Sequence, residues 1–361
     1  MKLYEKALIF LTLIAYLINT EGQTMRTKSK SFIILLAAIG MLVLIFNIQL
    51  ASEGALQGIQ LCIYTVIPSM FPLLVMSSVI RENASDLPLN WIRPIERFCH
   101  MPEGAGFLFF IGIIGGFPVA ALCLEECCHN KGLSHKDAAR MLAFCNNCGP
   151  AFIFGITSVV FHSSVIPWYL WAIQICSALL TARILPAYKY SNHFSANAKH
   201  TGLSQLILSA IKAMATICAW IILFRVLIRF MEQWLLWSFP IFAKVIVSGL
   251  LELANGCVQL SAISGDAIRF VVTSILLSAG GLCVAMQTVS SVHSFSCKYY
   301  WLGKSIQTLI ATMLSIVFVE VYFNNRFVLA FLYGITIIVL GFVAKSLMCK
   351  ISTGNPKWNT V

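Results

Sequence analysis

Charge is what this sequence has least of. Asp, Glu, Lys and Arg together make up 11% of its 361 residues, against about a quarter in a soluble globular domain. So little charge cannot cover a water-facing surface, which excludes a soluble fold. Acidic residues are the scarcer kind, 14 Asp and Glu against 25 Lys and Arg. The basic excess falls between apolar stretches, as in the cytoplasmic loops of membrane proteins, and forms no nucleic-acid-binding patch. Regular cysteine spacing is missing too. The 13 cysteines are scattered through apolar segments as small buried hydrophobes would be, and they outline no oxidised extracellular framework. No Walker A loop, nucleophile elbow or HExxH pattern occurs. ATP-driven work and hydrolysis therefore lack a basis, and neither enzyme activity nor a cofactor is expected.

What the sequence does have is apolar length. Hydrophobic residues make up 59% of the chain, mean hydropathy is +0.84, and stretches near the 20 residues that cross a bilayer recur from 31 to 348. The expected fold is an all-α polytopic membrane protein. Residues 1–30 read as an N-terminal extension: a short apolar run at 7–18 is followed by the basic stretch Arg26-Thr27-Lys28-Ser29-Lys30, and Met25 stands as an alternative start. Residues 31–53 supply a first span over 32–50, and 55–80 returns with kinks at Pro68 and Pro72. The segment 81–103 sets Trp91, Ile92, Ile95 and Phe98 against Arg93, Glu96 and Arg97, so it is expected to lie along the cytoplasmic surface. Further spans read at 165–187, 203–230, 306–323 and 327–344.

Two regions break this pattern. In residues 111–155, apolar runs are interrupted by Gly115-Gly116-Phe117-Pro118 and by Asn146-Asn147-Cys148-Gly149-Pro150, with a polar hairpin between them. Unwound backbone at membrane depth needs protein, water or ligand to satisfy it, and broken helices line substrate sites in many transporters. Residues 239–294 repeat the arrangement. Asp137-Ala138-Ala139-Arg140 answers Asp266-Ala267-Ile268-Arg269. Gly149, Thr157, His162 and Ser163 answer Gly280, Thr288, His293 and Ser294, and the break at Pro118 answers one at Asn255. The copies divide the chain into 54–163 and 203–296, with a linking helix and cytoplasmic loop at 164–202 and a helical pair and tail at 297–361. Loop charges, Lys199 before the second copy and Lys298 and Lys304 after it, give the copies opposite orientation. One broken segment in each copy should span and the other re-enter. Inverted repeats place a solute site at their interface.

The candidate binding residues are therefore Pro118, Asn146, Asn147, Gly149, Pro150 and Thr157 in the first copy. In the second they are Asn255, Gly256, Gln259, Gly280, Gly281, Gln287, Ser290 and Ser291. Amides donate and accept without carrying charge, and helix ends exposed at Gly breaks suit carboxylates or phosphates. Small and amide residues also gather at helix–helix contacts, the competing explanation for each of them. Glu252, with no basic neighbour in sequence, is a candidate for a coupling cation or proton. Lys212, Arg225, Arg229 and Lys244 are candidates for attracting anions. Asp137/Arg140 and Asp266/Arg269 have the spacing of helix-surface ion pairs, and Glu320 sits near a span end where it can snorkel. Cys127-Cys128-His129 with Cys145 and Cys148 lacks the spacing of a structural zinc site, and no metal is expected.

The segments Gly115-Gly116-Phe117-Pro118, 146–155, 250–256 and 280–287 resemble the sporulation integral membrane protein family of the YlbJ type, within the broader nucleoside-recognition, or Gate-domain, group. The resemblance covers roughly residues 30–345. Where that family reads G-Y-P-x-G-A and N-x-S-G-P, this chain has Gly-Phe-Pro-Val-Ala-Ala and Asn146-Asn147-Cys148-Gly149-Pro150. The resemblance implies a spore-forming bacterium, a place in the mother-cell-derived membrane around the forespore, and movement of dipicolinate. The residues alone support a carrier of a small polar or anionic solute in a lipid bilayer, with no nucleic-acid partner, and leave a homo-oligomer open. Two alternatives stand beside it, a nucleoside or nucleobase carrier and a non-transporting scaffold for spore cortex or coat assembly.

Overall fold

The computed structural model describes residues 27–83, 90–130, 132–186 and 202–354, and every regular element among them is helical. The apolar run 7–18, Met25, the loop 189–200 and the tail beyond Gly354 lie outside the described residues.

Helix α1, Thr27–Phe46, stops at a turn on Asn47, whose amide nitrogen donates to the Val43 carbonyl at 2.9 Å. The expected span 32–50 is thus interrupted. The chain enters α2, Ile48–Leu61, passes a π-turn at Cys62–Val66 and continues as α3, Ile67–Asn83. Ser52 and Glu53, between the two expected spans, are helical, and Glu53 pairs with Arg229 of the neighbouring span at 2.8 Å. The kink expected at Pro68 and Pro72 takes the form of the π-turn just before them. A short helix, α4 (Arg93–Cys99), follows. Its Glu96 is not on a polar outer face: the carboxylate is buried and accepts from the N–H groups of Gly104 and Gly106 at 3.0 and 2.9 Å, while Trp91 and Phe98 are exposed.

The first broken region is α5 (Gly106–Gly115), α6 (Val119–His129), α7 (His135–Cys145) and α8 (Pro150–Val160). Helix α7 starts where Ser134 accepts from the Asp137 N–H, and α8 starts on Pro150, whose missing N–H costs nothing at that position. The linking helix α9 (Ile166–Ile184) and the long α10 (Leu203–Trp234) lead to the second broken region: α11 (Ile241–Leu251), α12 (Leu253–Gln259), α13 (Asp266–Ala279) and α14 (Gly281–Ser290). Gly280 at φ +78° ends α13 in the left-handed conformation. Helices α15 (Lys298–Tyr322) and α16 (Phe327–Gly354) complete the described chain. Lys304 lies inside α15 and is buried, so it is not the loop charge expected after the second copy.

Five stretches among the described residues are long and apolar enough to cross a membrane: Ile48–Ile80, His135–Val160, Leu203–Trp234, Asp266–Ser290 and Lys298–Tyr322. Two of them are the broken pairs α7–α8 and α13–α14. These two are also the most enclosed, each 61% buried, against 22–39% for the other three. They form the centre of the molecule. By length and composition the second broken segment of each copy qualifies as a span, whereas the apolar helices that open the first segments, α5 and α11, each reach about 15 Å, half a bilayer core, before their break.

Contacts between the copies set them head to tail. Glu125, beside the first hairpin, accepts from the N–H and hydroxyl of Ser294 at the exit of the second copy. Arg269, beside the second hairpin, donates to the Val160 carbonyl at the exit of the first. Midway along, Asn146 donates to Thr288 at 2.8 Å. As one copy ascends, the other descends.

Outside this centre, α2 lies against α10 through Gly54 and Gly58. A Cβ on either glycine would come within 2.8 Å of a backbone Cα of α10, that of Val226 or Ile222. The spacing is the small-xxx-small pattern that lets helices approach in lipid. Gly58→Leu should force the pair apart and lower stability by about 1–3 kcal/mol, read as a lower midpoint in thermal unfolding of the detergent-solubilised protein. Replacing the lipid-facing Ile59, 40% exposed, by Leu should leave the midpoint unchanged.

Candidate functional site

The four breaks converge in pairs. In the first copy Gly116, at φ +78° and ψ −170°, turns the chain into a cis Phe117–Pro118 bond. A Cβ there would sit 2.8 Å from the backbone nitrogen of Gly149, so only glycine permits both the dihedral and the approach. Residues Asn146 to Gly149 are extended and lie against this turn. In the second copy the break falls at Glu252, φ −140° and ψ 117°. This corrects the expected break at Asn255, which lies inside α12. Gly281, at φ +73°, is its counterpart, and a Cβ there would meet the Gly249 carbonyl at 3.0 Å.

A cavity of about 50 Å³ opens between the pairs. Gly115, Gly116, Phe117, Cys148 and Gly149 line it from the first copy, and Glu252, Leu253, Ala254, Val284 and Gln287 from the second. Apolar residues of α2, α3 and α10 close the rest. It is thus largely apolar, with Glu252 and Gln287 as its polar side chains. Two helix starts face it. Ala151 and Phe152 in the first turn of α8 line the cavity, and no side chain caps that helix. The start of α12 is capped by Glu252, which accepts from the N–H groups of Ala254 at 2.9 Å and Asn255 at 2.7 Å. The geometry gives Glu252 a capping role and places it on the cavity wall.

The asparagines stand just behind this wall. Asn147 donates to the Phe144 carbonyl at 2.6 Å and accepts from Gln307 Nε2 at 2.7 Å. Gln307 Oε1 accepts from Lys304 Nζ at 2.9 Å, and Lys304 Nζ lies 4.9 Å from the centre of the Phe117 ring. Sequence reasoning did not find Lys304, Gln307 or Thr288 as members of this cluster. Lys304 carries a signal in the sequence, a lysine at the edge of an apolar run; loop-charge counting assigns it to a loop, whereas it is buried in α15.

Of the residues expected at the site, Gly149, Glu252 and Gln287 line the cavity. Asn146 and Asn147 support it, and Gly280 touches Phe117 across the copies. Pro118 opens α6 beside Phe117, and Gly281 packs on α11. The others are drawn into packing. Thr157 donates to Ile153 within α8. Gly256 lies on the backbone of Gly249, and Gln259 binds Glu232. Ser290 accepts from Trp220 while Ser291 donates to Gln287 O. None of Lys212, Arg225, Arg229 and Lys244 lines the cavity. Cys128, near the end of α6, reaches the Ser134 carbonyl at the hairpin while Cys145 ends α7 at the break, so the length of α7 separates the cysteines weighed for zinc.

The paired arginines hold the frame. Asp266–Arg269 is an ion pair of 3.1 Å, and Arg269 also donates to Ile263 O. Arg140 departs from the surface-pair expectation. It is buried and donates to the carbonyls of Cys99, His100, Ala182 and Pro186, tying α4 to the C-terminal end of α9. That is where a cation complements the helix dipole. His100 lies beside Arg183 Nη1 at 3.0 Å. Burial, then the Arg183 and Arg140 charges, hold its ring below the ordinary value of 6.5.

The folded protein therefore resists protonating His100, while the unfolded chain accepts the proton near 6.5. Stability tied to His100 is complete above that value and is lost as pH falls through it. His100→Gln should flatten this part of the stability–pH curve, measured by thermal unfolding between pH 5 and 8. An unchanged slope would contradict the placement.

Among curated proteins, the chain is similar to the sporulation integral membrane protein YlbJ of Bacillus subtilis (strain 168), 27% identical over 121 residues. The matched stretch covers 32% of this chain and 29% of that relative. No family profile matches the chain, and no solved structure matches it.

Proposed function

We propose that this chain is a carrier rather than an enzyme: a sporulation protein of the YlbJ type, on a Gate-like scaffold, that moves a small polar solute across the membrane. The observation that carries the reading is the cavity bounded by breaks of both head-to-tail copies. A scaffold needs no such junction, whereas alternating access does, since the same broken elements can face either side as the copies rock. The uncapped start of α8 offers N–H groups and a positive dipole end to an anionic oxygen. Phe117 offers a flat apolar face. Together they suit a planar carboxylate, and dipicolinate in the membrane around the forespore is the first solute to try. Glu252, on the same wall, is where an accompanying proton or cation would bind.

Liposomes containing the purified chain should accumulate radiolabelled dipicolinate and not uridine. Gly116→Val, which closes the Gly116–Gly149 approach, should lower uptake at least tenfold. Glu252→Gln should abolish the response to an imposed proton gradient. Uptake of uridine instead would favour the nucleoside carrier. Uptake of neither would overturn the carrier reading, as would Gly116→Val restoring spore dipicolinate in a deletion strain as well as wild type does.

A further inference from the structure

Lys304 is the group that the site as described leaves unused. It lies on α15, outside both copies, and is only 5% exposed. Its ammonium has three N–H bonds to place, and the structure gives one acceptor, Gln307 Oε1 at 2.9 Å. Its other neighbour is the face of Phe117, 4.9 Å to the ring centre. Lys304 makes no ion pair among the described residues; the pairs there involve Arg93, Arg229 and Arg269. A neutral amide and a ring offset little of the cost of holding a cation away from water. Glu252 is not its counter-charge: no ion pair between the two occurs among the described residues.

The position of this cation suggests its use. Phe117 has Lys304 against its ring and is itself part of the cavity wall. The ring also touches Gly280 of the second copy, where a Cβ would meet Cζ at 3.3 Å. One aromatic ring therefore separates an incompletely bonded ammonium from the cavity. Gln307, anchored on Asn147, holds the ammonium, and neither Lys304 nor Gln307 lines the cavity. A carboxylate entering the cavity would be a stronger acceptor than the Gln307 carbonyl.

Resting on the carrier reading, we propose that Lys304 is the anion-binding residue of this site. It is screened by Phe117 in the state described and is reached by a solute carboxylate when the ring turns aside. The solute is then a small carboxylate-bearing molecule, with one carboxylate at Lys304 and the other end at the start of α8.

The test uses the full chain in liposomes, with dipicolinate as the dicarboxylate probe and its uncharged diamide as the control. Lys304→Gln should cut dipicolinate uptake at least tenfold, and Lys304→Arg should recover part of it. In a second arm, acetic anhydride should leave Lys304 unmodified in the wild type and acetylate it in Phe117→Ala. Millimolar dipicolinate, but not the diamide, should suppress that acetylation, as read by mass spectrometry. If wild type carries dipicolinate and Lys304→Gln carries it equally well, the carrier reading stands and the role of Lys304 falls. If Lys304→Gln does not fold, the labelling decides, and acetylation that dipicolinate does not suppress overturns the proposal. Absence of wild-type uptake overturns both.

Discussion

Backbone that leaves its helix inside a bilayer must be kept from lipid by protein, water or a ligand, and in this chain each break packs against another. Gly116 packs on Gly149, and Gly281 on the end of α11 at Gly249. The remaining arrangement follows from that requirement. At Gly116 and Gly281 only glycine tolerates both the positive φ and the close approach, and each such glycine sets its break against the other break of its copy. The copies then lie head to tail, held at one end by Glu125 on Ser294 and at the other by Arg269 on Val160. Their four breaks surround one small cavity.

The cavity differs from its surroundings in what is left unfinished. The start of α12 is capped by Glu252, whereas that of α8 is uncapped. The Lys304 ammonium has an amide and a ring where an anion would serve better. Two other buried charges are held by backbone: Arg140 is shared among the carbonyls at α4 and α9, and Glu96 closes the start of α5. The contrast distinguishes charges that hold the frame from those available to a solute.

Much of the frame was legible in the sequence because glycine, proline and paired asparagine are local signals. The breaks at Gly116–Pro118, Asn146–Gly149 and Gly280 fall where these residues stand. The break at Glu252 was misplaced to Asn255 because a carboxylate that caps a helix carries no such punctuation. The Gly54–Gly58 pair was in view as spacing but went unread. Lys304 and Arg140 were read as surface charges, since one-dimensional charge counting assigns cations to loops or helix faces. Their burial depends on neighbours far along the chain, Phe117 and Gln307 for one, Cys99 and Ala182 for the other.

The head-to-tail arrangement is the premise of the whole account and can be tested in native membranes. Cysteines placed at Glu125 and Ser294, and separately at Val160 and Arg269, should form disulfides on mild oxidation, identified as linked peptides by mass spectrometry. The mismatched pair, Glu125 with Arg269, should not. Linkage of the mismatched pair, with the matched pairs remaining free, would contradict the arrangement and the site built on it.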